Sequence, residues 1–346
     1  MASVTIGIDL GDKNHEVCVL DSAGDVIERF EVDNTKIELQ KAFAKYAGAV
    51  VAMETGTHSP WVSRTLEALG CKVLVGNARK LRAIWGSSQK SDVRDAEMLA
   101  RIARLDPKLL YPIHHRNQKA QVDLEQIKAR DLLVGLRTAL INHVRGVVKS
   151  LGFRLSKYSA PAFHKKALKE LPDELRTTLI PLLEQIGSLT RQIRAYEKQL
   201  ELLAETVYPE TACLRQVQGV GLITTLAFIL TLESPDRFDK SRAVGPHLGL
   251  TPRKDQSGDS DKRLRISKQG NVYLRCLLVN CSQFILGPFG PDCDLRRYGE
   301  RLIARGGGSA KRKAVIAVAR KLAILLHHLW STGEVYQPLH KGKPAA

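Results

Sequence analysis

The first hundred residues alternate between short apolar runs and segments with helical periodicity. Five runs are apolar or alternating and predict β-strands: Val4–Ile8, Glu16–Leu20, Val26–Val32, Ala49–Met53 and Lys72–Val75. Three segments have apolar residues at helical spacing and predict helices: Lys36–Tyr46, Trp61–Leu69 and Ser91–Leu105. The turn residues 22–25 predict a hairpin between the second and third strands. Residues 1–108 are therefore expected to form an α/β domain.

The order of these elements narrows the fold class. Three antiparallel strands followed by helix, strand, helix, strand and helix is the order of the ribonuclease-H-like fold. In that sheet the first and fourth strands are neighbours, so residues that end them are expected to emerge at one edge. These residues are Asp9 and Glu54.

Residues 109–205 contain two apolar repeats with steps of three and four. The first repeat is Leu133, Leu136, Leu140, Val144, Val147 and Leu151; the second is Leu182, Ile186, Leu189, Ile193, Tyr196, Leu200 and Leu203. They predict an all-α antiparallel hairpin or coiled-coil arm, with Pro181 in the first turn of the second helix. A pair of core helices in an ordinary bundle is the alternative. Strongly charged intervening faces favour the arm, which would separate two working domains and offer a dimer surface.

Residues 206–335 predict a second, mostly helical unit. Gly219 and Gly221 lie between two short helical runs, the pattern of a helix-hairpin-helix element whose backbone N–H groups approach a phosphate. A glycine turn between two core helices is the alternative. Residues 249–270 are basic and rich in Ser and Gly, and predict a loop. Residues 336–346 predict a polar, mobile tail.

The net charge of the chain indicates what kind of partner it binds. The chain has 53 Lys and Arg against 36 Asp and Glu, a formal net charge of +17, which indicates a polyanionic partner, most commonly nucleic acid. A membrane surface is the rival, but we find no run of about 18 apolar residues and no lipidation motif. The N-terminus lacks a signal-peptide pattern, so we expect a bacterial cytoplasmic protein. The six cysteines form no CxxC pair and are expected to be small buried residues rather than zinc ligands or disulfides.

Four carboxylates indicate the chemistry. Asp92 and Asp95 are three residues apart in a predicted helix and share one face, and they join the strand-end acids Asp9 and Glu54. Such a cluster repels itself unless a divalent cation neutralises it, and oxygen ligands suit Mg²⁺. Cations expected to hold a nucleic-acid strand surround it: Arg79, Lys80, Arg82, Lys90, Arg94, Arg101 and Arg104. Solvated acids at a helix N-terminus are the alternative for Asp92 and Asp95.

A second constellation contains a candidate nucleophile. Ser257 lies in a Ser-Gly segment whose cations could stabilise a phosphodiester under attack: Arg253, Lys254, Lys262, Arg263, Arg265 and Lys268. Ser260 and Ser267 compete with it, and Ser-Gly loops are common. Farther along, Lys311, Arg312 and Lys313 lie near a predicted helix N-terminus, where a bound phosphate would offset the unfavourable dipole. A merely solvated basic face is the alternative.

Taken in order, the segments GIDLG, METGT, KSDVRDAEMLA, VQGVG and GLTPRKDQSG resemble one family. They are similar to the DEDD-type insertion-sequence transposases of the IS110 family and the related Piv and MooV invertases, over nearly the whole chain. The resemblance implies a RuvC-like domain, a coiled coil and a C-terminal transposase domain. Asp9, Glu54, Asp92 and Asp95 match the DEDD carboxylates, and Ser257 matches the serine nucleophile.

The same resemblance implies the activity and the partners. It implies recombination of donor and target DNA through a covalent phosphoserine intermediate, guided by a structured non-coding bridge RNA. It also implies a homo-oligomer, a dimer or tetramer, whose composite sites pair the acids of one subunit with the serine of another, in a nucleoid-associated protein. Asp259 and Asp261 follow the serine closely, and acids there could activate Ser257 or oppose phosphate binding.

Three other functions use parts of this pattern. A structure-selective nuclease, such as a Holliday-junction resolvase, would use the same carboxylates with water and would not need Ser257. A sugar-kinase-like ATPase would need a second Asp-Gly-Gly phosphate loop, which we do not find. A non-enzymatic nucleic-acid scaffold would not need acids at all four positions.

Overall fold

The computed structural model describes residues 4–81, 91–257 and 260–340 of the chain, without the side chains of residues 254, 255, 257 and 260–263. The chain divides into two compact units, Met1–Arg116 and Asn117–Ala346. The division follows the α/β segment and keeps the predicted arm and the C-terminal region in one unit. The finer boundaries at residues 108, 205 and 335 stay predictions.

The first unit is a five-stranded mixed sheet with helices. Its strands are β1 (Thr5–Leu10), β2 (Asn14–Leu20), β3 (Val26–Asp33), β4 (Val50–Glu54) and β5 (Lys72–Gly76). Their spatial order is β3-β2-β1-β4-β5, with β1 antiparallel to β2 and parallel to β4. Its helices are α1 (Lys36–Phe43), α2 (Ser59–Ala68) and α3 (Asp92–Leu105), with short 3₁₀ turns at Ala44–Tyr46 and Pro107–Leu110. The predicted element order is confirmed.

The two faces of this sheet are packed differently. One face contributes Ile6, Ile8 and Val51 to an apolar core that also contains Leu39 and Leu66 of α1 and α2. The other face is lined by small residues and is covered by α3. Because side chains alternate along a strand, residues of one parity in β1 and β4 all face α3.

Helix α3 approaches the sheet at Gly7. A Cβ atom built on Gly7 would lie 1.9 Å from the carbonyl oxygen of Ala96 and 2.6 Å from the amide nitrogen of Ala100. No side chain fits at that distance, so the backbones of α3 and β1 are in direct contact. Cys18 and Leu20 of β2 complete the contact with Ala96 and Ala100.

The C-terminal half of α3 is fixed to the β2–β3 turn. Arg101 donates to the carbonyl of Gly24, and Arg104 donates to the carbonyl of Ser22 at 2.7 Å. Glu97 accepts from Arg29 of β3 and from Arg101. With this end at the turn, the N-terminal end of α3 lies at the opposite edge of the sheet, where β1 and β4 end.

The second unit begins with a helical arm. Its helices are α4 (Gln118–Ser150), α5 (Phe163–Glu170) and α6 (Asp173–Thr206). Arg130 pairs with Glu197 and Arg137 with Thr190, so the residue numbers run in opposite directions and α4 and α6 are antiparallel. The short helix α5 within the connection was not predicted.

Two details of the arm prediction are wrong. Pro181 lies inside α6 rather than in its first turn, because the helix begins two turns earlier, where Leu175 and Leu179 are buried against α5. Proline removes one backbone hydrogen bond from a helix, and this packing offsets the loss. Leu136 and Leu151 are about half exposed, since the seam of α4 instead follows Ile141, Val144 and Val148.

The rest of the second unit is a helical core with one β-hairpin. Its helices are α7 (Thr211–Arg215), α8 (Leu222–Leu232), α9 (Val244–His247), α10 (Val272–Ile285), α11 (Asp294–Ala304) and α12 (Ala310–Thr332); 3₁₀ turns lie at Pro235–Arg237 and Ser241–Ala243, and the strands are β6 (Pro252–Ser257) and β7 (Ser260–Ile266). Residues 249–270 are therefore not the loop that was predicted. The two strands contain a single β-branched residue, Ile266, and therefore give little sequence signal; the backbone ladder defines them.

Helix α12 is the centre of this core. Among the residues that the structure describes, it alone is long and apolar enough to cross a membrane, a test that core helices also pass. Its Val318, Leu322 and Leu326 are completely buried in the helical core.

All six cysteines are free, and Cys18, Cys71, Cys281 and Cys293 are buried.

The predicted mobile tail is partly packed. The Tyr336 amide donates to Gln216, and the Pro338 carbonyl accepts from the amide of Asp294 at 2.8 Å. Burial raises the pKa of Tyr336 above its usual range, which is consistent with a ring held against the core. Mobility is therefore a wrong expectation for Tyr336–Pro338, and residues 341–346 lie outside the description.

We expect Gly7→Ala to destabilise the first unit by at least about 1–3 kcal/mol, because the new methyl group overlaps the backbone of α3. Chemical denaturation followed by circular dichroism measures this loss. Gly135→Ala is the control, since a Cβ there meets nothing within 4 Å and alanine favours a helix by about 1 kcal/mol. A Gly7→Ala protein as stable as the wild type would contradict the close packing.

Candidate active site

Asp9 and Glu54 lie side by side on neighbouring parallel strands. Ile8 pairs with Met53 in the β1–β4 register, and Asp9 and Glu54 are the next residues on the two strands. Gly7 and Ala52 face α3, so the side chains two positions farther along face the same way. The prediction that these two carboxylates meet at one edge of the sheet is supported by this register.

The first turn of α3 brings the other two acids to the same edge. Ser91 caps the helix, with its hydroxyl accepting from the amide of Arg94 at 3.4 Å. Asp92 and Asp95 follow in the first turn, where the helix dipole favours negative charge. Asp95 is 8% exposed and immediately precedes Ala96, which contacts Gly7. Asp95 is therefore not the solvated helix-end acid of the alternative interpretation, whereas Asp92 is exposed and agrees with it.

The structure adds a fifth acid that the sequence reasoning missed. Glu16 of β2 pairs directly with Asp9 of β1, and Glu31 of β3 pairs with Glu16, so all three side chains share the face covered by α3. Burial and the negative charges of Glu31 and Asp92 raise the pKa of Glu16. Strand parity was the available signal, because Glu16 precedes Cys18 and Leu20 on the same face.

The donor chemistry of this edge fits a hard divalent cation. Asp9, Glu54, Asp92 and Asp95 supply only carboxylate oxygens, the ligands that Mg²⁺ prefers. Within the described residues, no three His, Cys, Asp or Glu side chains are already close enough together to hold one ion. A bound cation would have to draw these groups inward, toward one point.

The cations that the sequence predicts around the acids do not all lie there. Arg101 and Arg104 are not beside the acids, because they bind the β2–β3 turn six and nine residues beyond Asp95. At 1.5 Å per residue, that is roughly 9–14 Å along the helix. Arg79 is exposed, and Lys80 lies 4.2 Å from the Tyr111 ring centroid. Arg94 is exposed in the first turn of α3, and Arg82 and Lys90 lie outside the described residues.

Ser257 occupies the end of a β-hairpin in the second unit. It is the last residue of β6, and its backbone pairs with Ser260, the first residue of β7. Only residues 258 and 259 separate the strands, so Ser257 is at the tip; these two residues, including Asp259, lie outside the described part. The side chains of Ser257, Ser260 and Asp261 are likewise outside it, whereas the backbone of Ser267 lies at the base and donates to Thr251.

The base of this hairpin is a narrow neck. Gly249 and Gly270 both have positive φ, at 67° and 74°, and a Cβ on either would lie within about 2.3 Å of the opposite backbone. Arg275 of α10, 7% exposed, donates from one guanidinium nitrogen to the carbonyls of Leu248 and Gln269. One buried cation therefore joins the chain entering the hairpin to the chain leaving it.

The basic residues of the hairpin are only partly described. Arg253, Arg265 and Lys268 are exposed, and Lys268 has a left-handed backbone with φ of 56°. The side chains of Lys254, Lys262 and Arg263 lie outside the described residues. A role of these cations in nucleic-acid binding stays a prediction.

The Gly219–Gly221 turn lies between α7 and α8, as predicted. Gly219 has φ of 89°, and a Cβ there would lie 2.6 Å from the Phe284 ring. Gly221 precedes α8 with extended backbone and open space around its Cα. Packing against Phe284 accounts for Gly219, while the open side at Gly221 leaves the first amides of α8 approachable.

The basic residues between Arg296 and Lys313 are of two kinds: some are bound within the protein, and others are exposed on its surface. Arg296 donates to the carbonyls of Ile285, Gly287 and Gly290, so it closes the end of α10. Arg297 pairs with Asp292. By contrast, the side chains in the first turn of α12 are exposed and are in no ion pair among the described residues: Lys311, Arg312 and Lys313.

Comparison with known proteins assigns a family to both units. A model for DEDD-type transposases of the IS110 class, described as "Transposase", matches residues 6–152, which include all four candidate carboxylates. A second, described as "Transposase IS116/IS110/IS902 family", matches residues 211–291, which include the hairpin. The DEDD type indicates dependence on a divalent metal.

Curated relatives agree with these matches. The transposase for insertion sequence element IS1111A of Coxiella burnetii is 27% identical over 96% of this chain and 91% of its own length. A probable family 20 transposase of Pseudomonas aeruginosa is 26% identical over 96% and 98%. The transposase for insertion sequence element IS1328 of Yersinia enterocolitica is 28% identical over 82% and 84%.

We expect Arg275→Met to loosen the hairpin, because the methionine keeps the apolar stem but leaves two carbonyls at the neck without a donor. The local opening free energy should fall by about 1–3 kcal/mol. Hydrogen exchange of the β6 and β7 amides measures it, with the exposed Arg265→Ala as the control. Unchanged exchange in Arg275→Met would show that the glycine neck holds the hairpin without the guanidinium.

Proposed function

Because the chain belongs to the IS110 family of insertion-sequence transposases, we propose that it recombines DNA with a Mg²⁺-dependent DEDD site and a serine nucleophile. The observation that carries the proposal is the convergence of strand-end and helix-start acids. Asp9 and Glu54 share one sheet face, and α3 presents Asp92 and Asp95 at the same edge. Carboxylates that converge in this way supply the oxygen ligands that a metal-dependent phosphodiester chemistry needs.

The strand order supports the finer fold assignment. Three antiparallel strands continued by two parallel ones, in the order 3-2-1-4-5, agree with a ribonuclease-H-like, RuvC-like domain. The turn at Gly219–Gly221 between α7 and α8 supports a helix-hairpin-helix element, in which the free amides at the start of α8 would face a backbone phosphate.

Asp9, Glu54, Asp92 and Asp95 would hold Mg²⁺ at this edge. Bound Mg²⁺ supplies charge stabilisation to the attacking and leaving oxygens of a phosphodiester displacement. The carboxylates fix where the reacting phosphate lies, and Ser91 and Gly7 fix the helix that carries two of them. Glu16, raised in pKa by burial and its acidic neighbours, stands behind Asp9 and adds negative charge to the same edge.

Ser257 is proposed as the nucleophile. Its hydroxyl oxygen would form a bond to a backbone phosphorus while the bond from phosphorus to one sugar oxygen breaks. The hydroxyl proton passes to a base at the site, and the sugar oxygen leaves as a hydroxyl after taking up a proton. The seryl phosphodiester keeps the bond energy, so a second sugar hydroxyl can reverse the step and join a different strand. Water takes no part in this exchange.

The proposed partners are donor and target DNA, a structured bridge RNA and further copies of this chain. The net charge of +17 supports binding of nucleic acid. Leu132 and Leu136 of α4 are 65% and 48% exposed beside the internal seam of the arm, a surface on which a second copy can pack. A dimer or tetramer would let the acids of one subunit act with Ser257 of another. Such a protein would work in the bacterial cytoplasm, on the nucleoid.

We expect Asp9→Ala to lower DNA cleavage by roughly 100-fold or more while leaving RNA binding largely intact. Cleavage is measured on a labelled donor substrate with Mg²⁺ and again after EDTA treatment. Asp12→Ala is the matched control, because Asp12 lies in the adjacent β1–β2 turn with a side chain 98% exposed. Cleavage by Asp9→Ala at the wild-type rate, or cleavage unaffected by EDTA, would contradict the metal site.

We expect Ser257→Ala to bind DNA and RNA but to form no covalent adduct and no cut. A suicide substrate analysed on a denaturing gel detects the adduct in the wild type, and Ser260→Ala and Ser267→Ala are the controls that should retain it. An adduct that persists in Ser257→Ala would place the nucleophile elsewhere. Cleavage without any adduct in the wild type would instead identify a nuclease that uses water, such as a junction resolvase.

A further inference from the structure

The tip of the helical arm has an extreme charge distribution. Residues 132–169 contain eight Lys and Arg and neither Asp nor Glu, between Asp131 and Glu170. The stretch covers the second half of α4, the connection and all but the last residue of α5. Six of the eight cations are exposed: Lys149, Arg154, Lys157, Lys165, Lys166 and Lys169. Residues 170–187, which complete the tip, add Arg176 against Glu170, Asp173, Glu174 and Glu184, so residues 132–187 keep a net charge of +5, and this excess favours an anionic partner.

A cleft lies at the tip between α5 and α6. Its volume is about 520 Å³, and no carboxylate lines it. From α6 the lining residues are Gly187, Thr190, Arg191 and Arg194, which are spaced by three, one and three residues and share one helix face. From the other wall they are Ser159, Pro161, Ala162, His164 and Lys165. The cleft thus combines three exposed cations with the exposed Ser159 hydroxyl, whereas the buried Thr190 hydroxyl donates to the Ile186 carbonyl.

The floor of the cleft depends on a glycine inside a helix. Gly187 is buried in the middle of α6, where glycine costs about 1 kcal/mol relative to alanine. A Cβ there would lie 2.9 Å from the His164 ring, so the glycine admits the ring against the helix backbone. Burial, together with the charges of Lys165 and Arg191, lowers the pKa of His164, which is consistent with cations gathered around one point.

The walls of the cleft are held without these cations. Arg145 donates to the carbonyls of Leu155 and Ser156, and Glu170 accepts from the amide and hydroxyl of Ser156. The connection is therefore fixed by one arginine and the flanking glutamate. Within the described chain, Lys165, Arg191 and Arg194 are in no ion pair, so their charges are not used by the fold.

We propose that this arm-tip cleft binds phosphate groups of a nucleic-acid backbone. Guanidinium and ammonium groups with nearby hydroxyls are the donors that contact phosphate oxygens, and the exposed lysines around the cleft extend the contact beyond one phosphate. A single small anion would contact few of the six exposed cations, whereas a polyanion can contact several of them at once. This inference rests on the proposed function only for the ligand class, nucleic acid. The cleft is a further binding site, far in sequence from the four carboxylates and from Ser257.

The test is the full-length triple variant Lys165→Ala/Arg191→Ala/Arg194→Ala. The matched control, Lys128→Ala/Lys198→Ala/Lys240→Ala, removes the same charge from exposed positions outside the cleft. Binding is measured over a series of salt concentrations with a 40-bp DNA duplex and with a hairpin RNA of similar length. We expect at least a tenfold loss of affinity for one or both probes, and a fall of about two to three in the slope of log K against log salt.

The outcomes separate this proposal from the proposed function. Loss confined to RNA assigns the cleft to RNA, loss confined to DNA assigns it to DNA, and either supports the proposal. Equal losses in the cleft and control variants, or no loss in the cleft variant, would overturn it. Arg191→Lys/Arg194→Lys keeps the charge and should keep the salt slope, which excludes misfolding as the cause. The adduct at Ser257 is scored independently at saturating DNA, so failure of the serine chemistry leaves this result unaffected.

Discussion

The contact between Gly7 and α3 is the constraint on which the candidate active site depends. Because Gly7 has no side chain, the backbone of α3 lies directly on β1, at Ala96 and Ala100. Asp95 immediately precedes Ala96, and Asp9 is two residues beyond Gly7. The spacing between the helix acids and the strand acids is therefore set by backbone contact rather than by adjustable side chains. At the other end of α3, Arg101 and Arg104 fix the helix against sliding along the strand.

This arrangement gathers several negative charges at one edge of the sheet. Glu16 and Glu31 extend the row begun by Glu54 and Asp9, and the raised pKa of Glu16 follows from its burial and from its acidic neighbours. The helix dipole at the start of α3 offsets part of the repulsion. Carboxylates gathered in this way are typical of a site that receives a cation.

The sequence predicted the first unit well and parts of the second poorly, for physical reasons. Strands buried on both faces are apolar throughout, and the capped helix α3 has strong end signals, so β1, β4 and α3, which carry the four proposed acids, were predicted. Glu16 was missed because its role depends on strand pairing, which no local pattern reports. Arg101 and Arg104 were misplaced because helical periodicity assigns them to α3 but does not report their contacts with the β2–β3 turn.

In the second unit the errors have a common cause. The hairpin β6–β7 has few apolar side chains, and its ladder and glycine neck are visible only when both strands are brought together. Pro181 was taken as a helix start because proline favours that position, whereas burial of Leu175 and Leu179 extends α6 past it. In both cases contacts between residues far apart in the chain outweighed local preference.

The narrow neck at Gly249 and Gly270 has a mechanical consequence for Ser257. The hairpin residues do not belong to the described apolar cores, and the strand from Pro252 to Ser257 spans about 17 Å at 3.4 Å per residue. The hairpin can therefore rotate as a rigid element about its base, where the Arg275 guanidinium binds both chain segments. A rotation of about 10° about this base would displace Ser257 at the tip by about 3 Å, the length of one hydrogen bond. Small rearrangements at the neck, in the helical core, would therefore suffice to shift the proposed nucleophile by that distance.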